Sequence, residues 1–147
     1  MDINLAFNMT DFQTEELLRV SLKTGHFQKF LGIELVSVDT ENKELVMCLP
    51  YKEEFERLPG SGQIHGGVTS ALVDIAGDLA LIMLLERPIP TINLRVDYLS
   101  MAVKTDLLAH AKVVRAGRSI GVVDISVSDS NDKMIAVGRG CYSTLDR

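Results

Sequence analysis

Residues 59–85 read PGSGQIHGGVTSALVDIAGDLALIMLL, and this stretch decides the fold. Its beginning is rich in glycine and typical of a loop, whereas from Gly66 onward the apolar residues recur at the spacing of a helix. A helix from Gly66 to Leu85 would be about 30 Å long at ~1.5 Å per residue, and Pro88 and Pro90 would end it. The sequence therefore predicts one long, largely apolar helix in the middle of the chain.

Strand-like segments lie on both sides of this helix. Alternating apolar and polar residues, bounded by turn residues, predict two strands before it and four after it, over residues 32–38, 44–49, 91–99, 107–115, 119–128 and 134–144. A shorter helix over about residues 10–23, with Thr10 or Asp11 as its N-cap, comes first. This order predicts one α+β domain over residues 1–147, with its core at about residues 30–145, in which an antiparallel sheet wraps around the long helix.

Composition and charge argue against several classes of protein. A net charge of -5 over 147 residues disfavours a nucleic-acid binder, which would present a basic surface to phosphate. The longest apolar run, Leu79 to Leu85, is shorter than the ~20 residues that cross a bilayer, and no signal peptide is visible, so we expect a cytoplasmic protein. Cys48 and Cys141 lack the spacing of a metal site or a disulfide framework, and we expect both to be buried thiols on strands.

The start of the long helix is a candidate oxyanion site. The first amides of a helix have no partner within it and carry partial positive charge, which suits a carbonyl oxygen that becomes negative. Gly66 and Gly67 would let a ligand approach the backbone closely, because no Cβ is in the way. The alternative is that the two glycines only permit a tight turn from the loop into the helix.

Asp74 is the strongest candidate for a reacting side chain. It lies in the middle of the helix between apolar neighbours, where a carboxylate must be desolvated, paired or required for function. Desolvation raises the pKa of a carboxyl group toward the range of a general base. Alternatively, Asp74 faces water or accepts a structural hydrogen bond. Asp78, one turn later on the same face, could share a proton or a water with Asp74, or could be a supporting or solvated residue.

The spacing of these candidates has a geometric consequence. Gly66 and Asp74 are eight residues apart, so about 12 Å separates them along one helix axis. One carbonyl group cannot touch both in the same chain. If both serve one reaction, Asp74 of one subunit must face Gly66 of another, and the working site requires at least a dimer.

The stretch HGGVTSALVD, residues 65–74, resembles the signature that opens the helix in hotdog-fold thioesterases of the phenylacetate-degradation (PaaI-like) group. Residues 91–99, TINLRVDYL, resemble the strand that follows the helix in that group, and residues 114–119 and 137–140 resemble its later hairpin and last strand. The similarity covers about residues 30–145 in matching order. It implies a hotdog fold, a dimer usually paired into a homotetramer, and hydrolysis of an acyl-CoA with a small or medium acyl or aryl group, without metal or cofactor.

The resemblance also implies roles for individual residues. The Gly66 N–H would polarise the thioester carbonyl, and Asp74 of the partner subunit would act as general base for water or attack as nucleophile. Thr91 occupies a position that often carries a Ser or Thr that helps to hold the water. Arg115 and Arg118 lie in the hairpin where such enzymes commonly meet the CoA phosphates, although arginines are also common as solvated surface residues.

His65 and Gln63 are the remaining candidates in the loop. In the resembling group the histidine more often shapes the loop and hydrogen-bonds the backbone than acts as a base. Many relatives carry an Asn or Gln several residues before His-Gly-Gly, where it helps to orient the carbonyl or the water. Here Gln63 lies too close to His65 for that role unless the loop is rearranged, so either Gln63 substitutes or the activity is weak.

Two other functions stay open. A hotdog module without chemistry could bind or sense acyl-CoA, because a fold can keep its pocket and lose its reaction. A thioester hydratase or dehydratase would use a catalytic histidine, for which His65 is the candidate. His26 and His110 have no evident carboxylate or metal companion in the sequence, and we expect them to be incidental.

Overall fold

The chain forms three α-helices and six β-strands in the computed structural model, which describes residues 3–146 and the side chains from residue 12 onward. The helices are α1 (Ile3–Thr24), α2 (His26–Leu31) and α3 (Gly66–Leu85), with one short 3-10 turn at Glu53–Phe55. The strands are β1 (Glu34–Asp39), β2 (Glu44–Leu49), β3 (Thr91–Tyr98), β4 (Leu107–Ala116), β5 (Ile120–Ser128) and β6 (Met134–Ser143). The predicted bounds of the long helix are confirmed, and each predicted strand is present with small shifts at its ends.

The six strands lie in one antiparallel sheet in the order β1-β2-β4-β5-β6-β3. Between β2 and β3 the chain passes through α3, which carries it from one side of the sheet to the other, so β3 lies at the edge beside β6. The other edge is β1. α3 packs against β2 through β6, so the sheet wraps around one central helix. This is the predicted hotdog architecture.

The core lies between α3 and the inner face of the sheet. By its length and a mean hydropathy of 1.9, α3 has the composition of a membrane-spanning helix, but its apolar side chains pack against the sheet as those of a core helix do. On β4 and β5, buried residues alternate with more exposed ones, as a half-buried sheet requires. Fully buried side chains from both layers include Leu72, Val73, Leu79, Leu107, Val123 and Val127, and each contributes about 1.5–3 kcal/mol by burial.

Tyr142 sets the distance between α3 and the sheet. Its side chain is fully buried on β6, and its hydroxyl donates a hydrogen bond to the backbone oxygen of Asp74 at 3.1 Å. A Cβ on Gly77 would lie only 2.1 Å from that hydroxyl oxygen, so a glycine is needed where the ring meets the helix. The contact holds the middle of α3, including Asp74, against β6.

The N-terminal helix is longer than predicted. α1 begins at Ile3, so the prediction of a start at Thr10 or Asp11 is wrong, because the helix continues through the residues before them. Leu18 and Leu22 of α1 are buried against the rest of the domain. The sequence did not predict α2, because six residues are too few to show a helical period.

Candidate active site

The loop before α3 ends in a histidine cap. His65 is the N-cap residue, and its Nδ1 accepts a hydrogen bond from the Gly67 N–H at 2.8 Å. The backbone N–H of His65 donates to the backbone oxygen of Phe55 at 2.8 Å, which anchors the loop. The cap occupies the Gly67 amide, whereas within the described residues no acceptor engages the Gly66 N–H. The first amide of α3 is therefore the one left for a ligand.

Tyr98, at the end of β3, holds the first turn of α3 in place. Its hydroxyl donates to the backbone oxygen of Gly66 at 2.8 Å and also hydrogen-bonds the Ser70 hydroxyl. A Cβ on Gly66 would approach the Tyr98 ring to 3.1 Å, so the missing side chain lets the ring lie against the helix start. Sequence reasoning did not identify Tyr98 as a residue of the site. It fixes the residue that carries the candidate oxyanion donor.

A cleft of about 520 Å³ opens beside the helix start. Its walls include His65, Gly66, Tyr98 and Met101, with the exposed Arg57 among them. The mixture of apolar side chains with a few polar groups is typical of a small-molecule site. Because Gly66 lines this cleft, a carbonyl group bound in it would lie beside the first residue of α3.

Asp74 lies two turns further along α3 and is half-buried. Its Oδ1 accepts a hydrogen bond from the Thr91 hydroxyl at 2.7 Å, and within the described residues no donor reaches Oδ2. The carboxylate is thus neither fully desolvated nor free in water. It is oriented by one neutral donor, and its second oxygen is left for another partner.

Thr91 and Tyr98 both contact α3 although seven residues separate them on β3. In a regular strand, residues an odd number apart point to opposite faces of the sheet. β3 changes register against β6 between Thr91 and Asn93, as a β-bulge does, and the bulge reverses the alternation at the beginning of the strand. Thr91 therefore faces the helix, and Ile92 is left 53% exposed.

Asp78, one turn beyond Asp74, lies in a less polar environment than the sequence suggested. Its Oδ1 is buried, and within the described part of the chain it has no hydrogen-bond partner. Burial, and secondly the negative charge of Asp74, raise the pKa of Asp78 to about 7. Of the two alternatives for Asp78, the solvated one is wrong, because the packing around α3 withdraws most of this carboxyl from water. The supporting role stays a prediction.

The two halves of the candidate site lie apart within one chain. Gly66 and Asp74 belong to the same unbroken helix, in which eight residues span about 12 Å. Gly66 contacts Tyr98 at the last residue of β3, whereas Asp74 contacts Thr91 at the first. A single chain does not bring them to one substrate carbonyl.

The other predicted residues lie around these two halves. Gln63 is part of the loop, where its backbone oxygen accepts a hydrogen bond from the Arg57 N–H at 2.9 Å and its N–H donates to Ser61 Oγ at 3.1 Å. Arg115 and Arg118 are exposed at the hairpin between β4 and β5. Among the described residues, neither arginine lines the cleft beside Gly66 or bonds Asp74, so one chain does not bring them to either half of the site.

The chain matches known proteins in sequence and in structure. A family model described as the thioesterase superfamily matches residues 61–136, just over half of the 147 residues. The chain belongs to the thioesterase superfamily. The chain is 30% identical to human acyl-coenzyme A thioesterase 13, over 84% of this chain and 89% of that protein. It is similar to the crystal structure of a thioesterase from Haemophilus influenzae (TM-score 0.77, 26% identity, 88% of both chains), and it shares the fold of the PaaI protein from the phenylacetic acid degradation operon of E. coli (TM-score 0.81, 22% identity, 93% of this chain and 96% of that one).

Membership in the superfamily confirms the resemblance and supports thioester hydrolysis as the reaction. Two details outside the site differ from what the sequence indicated. His110 does have a carboxylate companion, because its Nε2 lies 3.1 Å from Glu44 Oε2, and Lys112 Nζ lies 3.0 Å from the other oxygen of Glu44. Cys48 and Cys141 lie on strands as expected, but both are half-buried rather than buried.

Proposed function

We propose that this thioesterase hydrolyses acyl-CoA thioesters, with a small or medium acyl or aryl group, to the free acid and CoA. The Gly66 N–H of one subunit binds the carbonyl oxygen, and Asp74 of the partner subunit acts as general base or nucleophile. The observation that carries the proposal is the arrangement on β3, where Thr91 at the first residue holds Asp74 and Tyr98 at the last residue holds Gly66.

The position of β3 supports the proposed dimer. β3 is an edge strand, and it exposes apolar side chains at and beyond its ends, such as Ile92, Tyr98 and Leu99. Exposed apolar edge strands tend to pair with another chain. If two copies of β3 pair antiparallel about a two-fold axis, the Thr91 end of one strand meets the Tyr98 end of the other. That pairing would bring Asp74 toward Gly66 of the partner subunit.

Two reaction routes fit these residues. In the first, Asp74 removes a proton from a water whose oxygen bonds to the thioester carbon, while the Gly66 N–H stabilises the oxyanion. The C–S bond then breaks, and the CoA thiolate takes up a proton as the acid is released. In the second, a carboxylate oxygen of Asp74 attacks the carbon, the thiolate leaves, and water hydrolyses the mixed anhydride. Neither route uses a metal or a cofactor, so we propose that none is needed.

The remaining candidate residues have roles that support this reaction. Thr91 orients Asp74 and the attacking water, and His65 keeps the loop in shape by capping α3 at Gly67. Gln63 helps to position the thioester in place of the missing upstream amide. Arg115 and Arg118 bind the CoA phosphates, for which guanidinium groups are well suited. The assembly would be a cytoplasmic homotetramer made of two such dimers.

Replacement of Asp74 tests the reaction. Asp74→Asn keeps the shape of the side chain but removes the base and the nucleophile, so release of free thiol from a panel of acyl-CoAs should fall by about 10²–10⁴-fold. Asp132→Asn, at an exposed carboxylate in the turn between β5 and β6, is the control that keeps its activity. Unchanged turnover in Asp74→Asn would end the proposal. Acyl-CoA binding without thiol release by the wild type would favour a sensor, and conversion of an enoyl thioester without CoA release would favour a hydratase.

A substitution at Gly66 tests the oxyanion donor. Proline suits the first position of a helix, because the amide that it lacks has no partner there, and the extended ψ of 135° at His65 suits a following proline. Gly66→Pro therefore removes the N–H while α3 stays intact, and Gly66→Ala adds the same Cβ but keeps the N–H. We expect about 10²–10³-fold lower kcat in Gly66→Pro than in Gly66→Ala. Equal rates in the two variants would exclude this amide as the donor.

Mixing the two inactive variants tests the composite site. A dimer of one Asp74→Asn and one Gly66→Pro subunit has one intact site, in which Gly66 comes from the first subunit and Asp74 from the second. After random exchange of subunits by unfolding and refolding, half of the dimers are mixed. One of the two sites in each mixed dimer is intact, so about a quarter of the wild-type activity should return. If the mixture stays as inactive as its parents, each site would lie within one chain, and the composite arrangement would be wrong.

A further inference from the structure

Among the described residues that line the cleft beside the helix start, Arg57 alone carries a full charge. Its guanidinium stays protonated at every pH at which a protein is folded. His65 also lines the cleft, but its Nδ1 accepts the Gly67 N–H, so in this arrangement the ring is neutral with its proton on Nε2. The remaining polar side chains of the wall are neutral: Thr69, Tyr98 and Ser100. The cleft therefore has one positive charge in a largely apolar wall.

The loop before α3 fixes the backbone of Arg57 beside the helix start. The Arg57 N–H donates to the backbone oxygen of Gln63 at 2.9 Å, and the neighbouring Glu56 and Ile64 form a β-bridge. The Ile64 N–H donates to the backbone oxygen of Ala102 at 3.0 Å. These bonds tie the two sides of the loop to each other and to the segment after β3. Because α3 begins two residues after Ile64, Arg57 is held next to the candidate oxyanion donor.

Within the described residues, no acidic side chain pairs with Arg57. None of their ion pairs includes it. The acids nearest to it in sequence line a separate surface depression: Glu53, Glu54 and Glu56. The Tyr51 hydroxyl lines the same depression and donates a hydrogen bond to the Glu56 carboxylate. The exposed guanidinium of Arg57 is therefore available to an anionic group of a ligand in the cleft.

The position of Arg57 selects which part of an acyl-CoA it can meet. When the carbonyl oxygen is bound at the Gly66 N–H, the whole pantetheine arm separates the CoA phosphates from the cleft. Pantetheine itself carries neutral amides, so it offers no anion to Arg57. The acyl group is the part of the substrate whose charge can vary, and a cleft of about 520 Å³ has room for a short one. A carboxylate on such a group can accept two parallel hydrogen bonds from a guanidinium.

We propose that Arg57 binds a carboxylate at the far end of the acyl group, so that the preferred substrates are CoA thioesters of short dicarboxylic acids. The inference rests on the function proposed above and adds the substrate class. Arg57 determines specificity: it holds the acyl group while the thioester carbonyl lies at Gly66, and it takes no part in breaking the C–S bond. Because Arg57 is exposed, water and salt screen the ion pair and keep the preference moderate.

The test compares substrates that differ in charge but hardly in shape. Succinyl-, glutaryl- and adipoyl-CoA are paired with 4-methylpentanoyl-, 5-methylhexanoyl- and 6-methylheptanoyl-CoA, in which an isopropyl group replaces the carboxylate. Thiol release is corrected for hydrolysis without enzyme. For the wild type at low salt, we expect kcat/KM for the acid to exceed that for its neutral partner by about 10-fold at one chain length or more. The preference should decrease in high salt.

Variants at Arg57 show whether the guanidinium causes the preference. Arg57→Gln should bring the ratio to one or below, because the apolar wall then favours the isopropyl group, and the loss should come mainly from a higher KM for the acid. Its kcat/KM for the neutral partners should stay within about twofold of wild type. Arg57→Lys keeps the charge without the planar fork and should retain part of the preference. Lys43→Gln is the matched control, because it removes one positive charge at the exposed turn between β1 and β2, and it should keep the wild-type ratio.

The outcomes separate this inference from the function on which it rests. A wild-type ratio of one or below at all three lengths, with the neutral thioesters hydrolysed, would overturn the role of Arg57 and leave the thioesterase proposal standing. An equal loss for acids and neutral partners in Arg57→Gln would also overturn it, because the arginine would then support the loop or the CoA moiety. If the wild type releases no thiol from any acyl-CoA, both proposals are wrong.

Discussion

The buried carboxyl of Asp78 should make stability depend on pH in a way that one substitution removes. Its pKa is raised from 3.8 to about 7 in the folded protein, mainly by burial. The folded state therefore holds this proton more tightly than the unfolded chain does. The resulting stabilisation is complete below about pH 4 and is lost as the pH rises toward and through 7. Asp78→Asn carries no proton to lose, so its advantage over the wild type should grow with pH.

The size of the effect follows from the shift. A change of about 3 pKa units corresponds to about 4 kcal/mol at ~1.4 kcal/mol per unit when the titration is complete in both states. Between pH 5 and pH 8 the folded protein loses about 2–3 kcal/mol of this stabilisation. The rest is already lost below pH 5, because Asp78 of the unfolded chain ionises near pH 4. This is a large fraction of the 5–15 kcal/mol typical of a whole domain.

The assay is urea unfolding of both proteins at a fixed subunit concentration at pH 5 and pH 8. We expect the free energy of unfolding of Asp78→Asn minus that of wild type to be about 2–3 kcal/mol larger at pH 8 than at pH 5, because only the wild type loses stability over this range. Asp124→Asn is the matched control. Its carboxyl is paired with Arg139, which lowers the pKa of Asp124, so Asp124 is ionised throughout this range and the effect of its loss should not change with pH. A difference for Asp78→Asn that is equal at the two pH values would refute the desolvation argument.

Three further substitutions test contacts of the site and the core. Tyr98→Phe removes the hydrogen bond to the first helical carbonyl, worth about 1 kcal/mol, so kcat should fall several-fold at little changed KM in steady-state assays. Thr91→Ala removes the donor to Asp74 and should lower kcat about tenfold, whereas Thr91→Ser should restore most of the rate. Gly77→Ala places a Cβ 2.1 Å from the Tyr142 hydroxyl oxygen and should cost about 1–3 kcal/mol in urea unfolding; an unchanged midpoint would show that the helix and ring can separate freely.

The sequence was sufficient for the architecture because the relevant signals are local. The helix from Gly66 to Leu85 could be predicted with its bounds, since glycine-rich sequence precedes it and prolines follow it. The strands followed from alternation between apolar and polar residues. α1 was placed only in part, because Asp2, Asn4 and Asn8 are cap-type residues as much as Thr10 and Asp11 are, and the sequence does not show which of them begins the helix.

The candidate site was less predictable because its contacts join residues far apart in the chain. Tyr98 reaches Gly66 across 32 positions, and Tyr142 reaches Asp74 across 68. Nothing in the local pattern of either tyrosine distinguishes such a contact from ordinary packing on a strand. The alternation along β3 would place Ile92 on the inner face with Leu94 and Val96. The bulge turns Thr91 toward α3 instead and leaves the Ile92 side chain exposed.

The two edges of the sheet differ in a way that bears on assembly. Along β1, α1 packs against the strand, and Arg19 Nη1 donates to the backbone oxygen of Leu35 at 3.1 Å. Exposed acids, Glu34 and Asp39, also lie on that strand and disfavour pairing with a second sheet. β3 has no such cover among the described residues. If β3 is the edge that pairs, sheet extension through it would join two subunits and then stop, as in the proposed two-fold dimer. Since β3 holds Asp74 at one end and Gly66 at the other, the interface that would close the proposed dimer would also complete two sites.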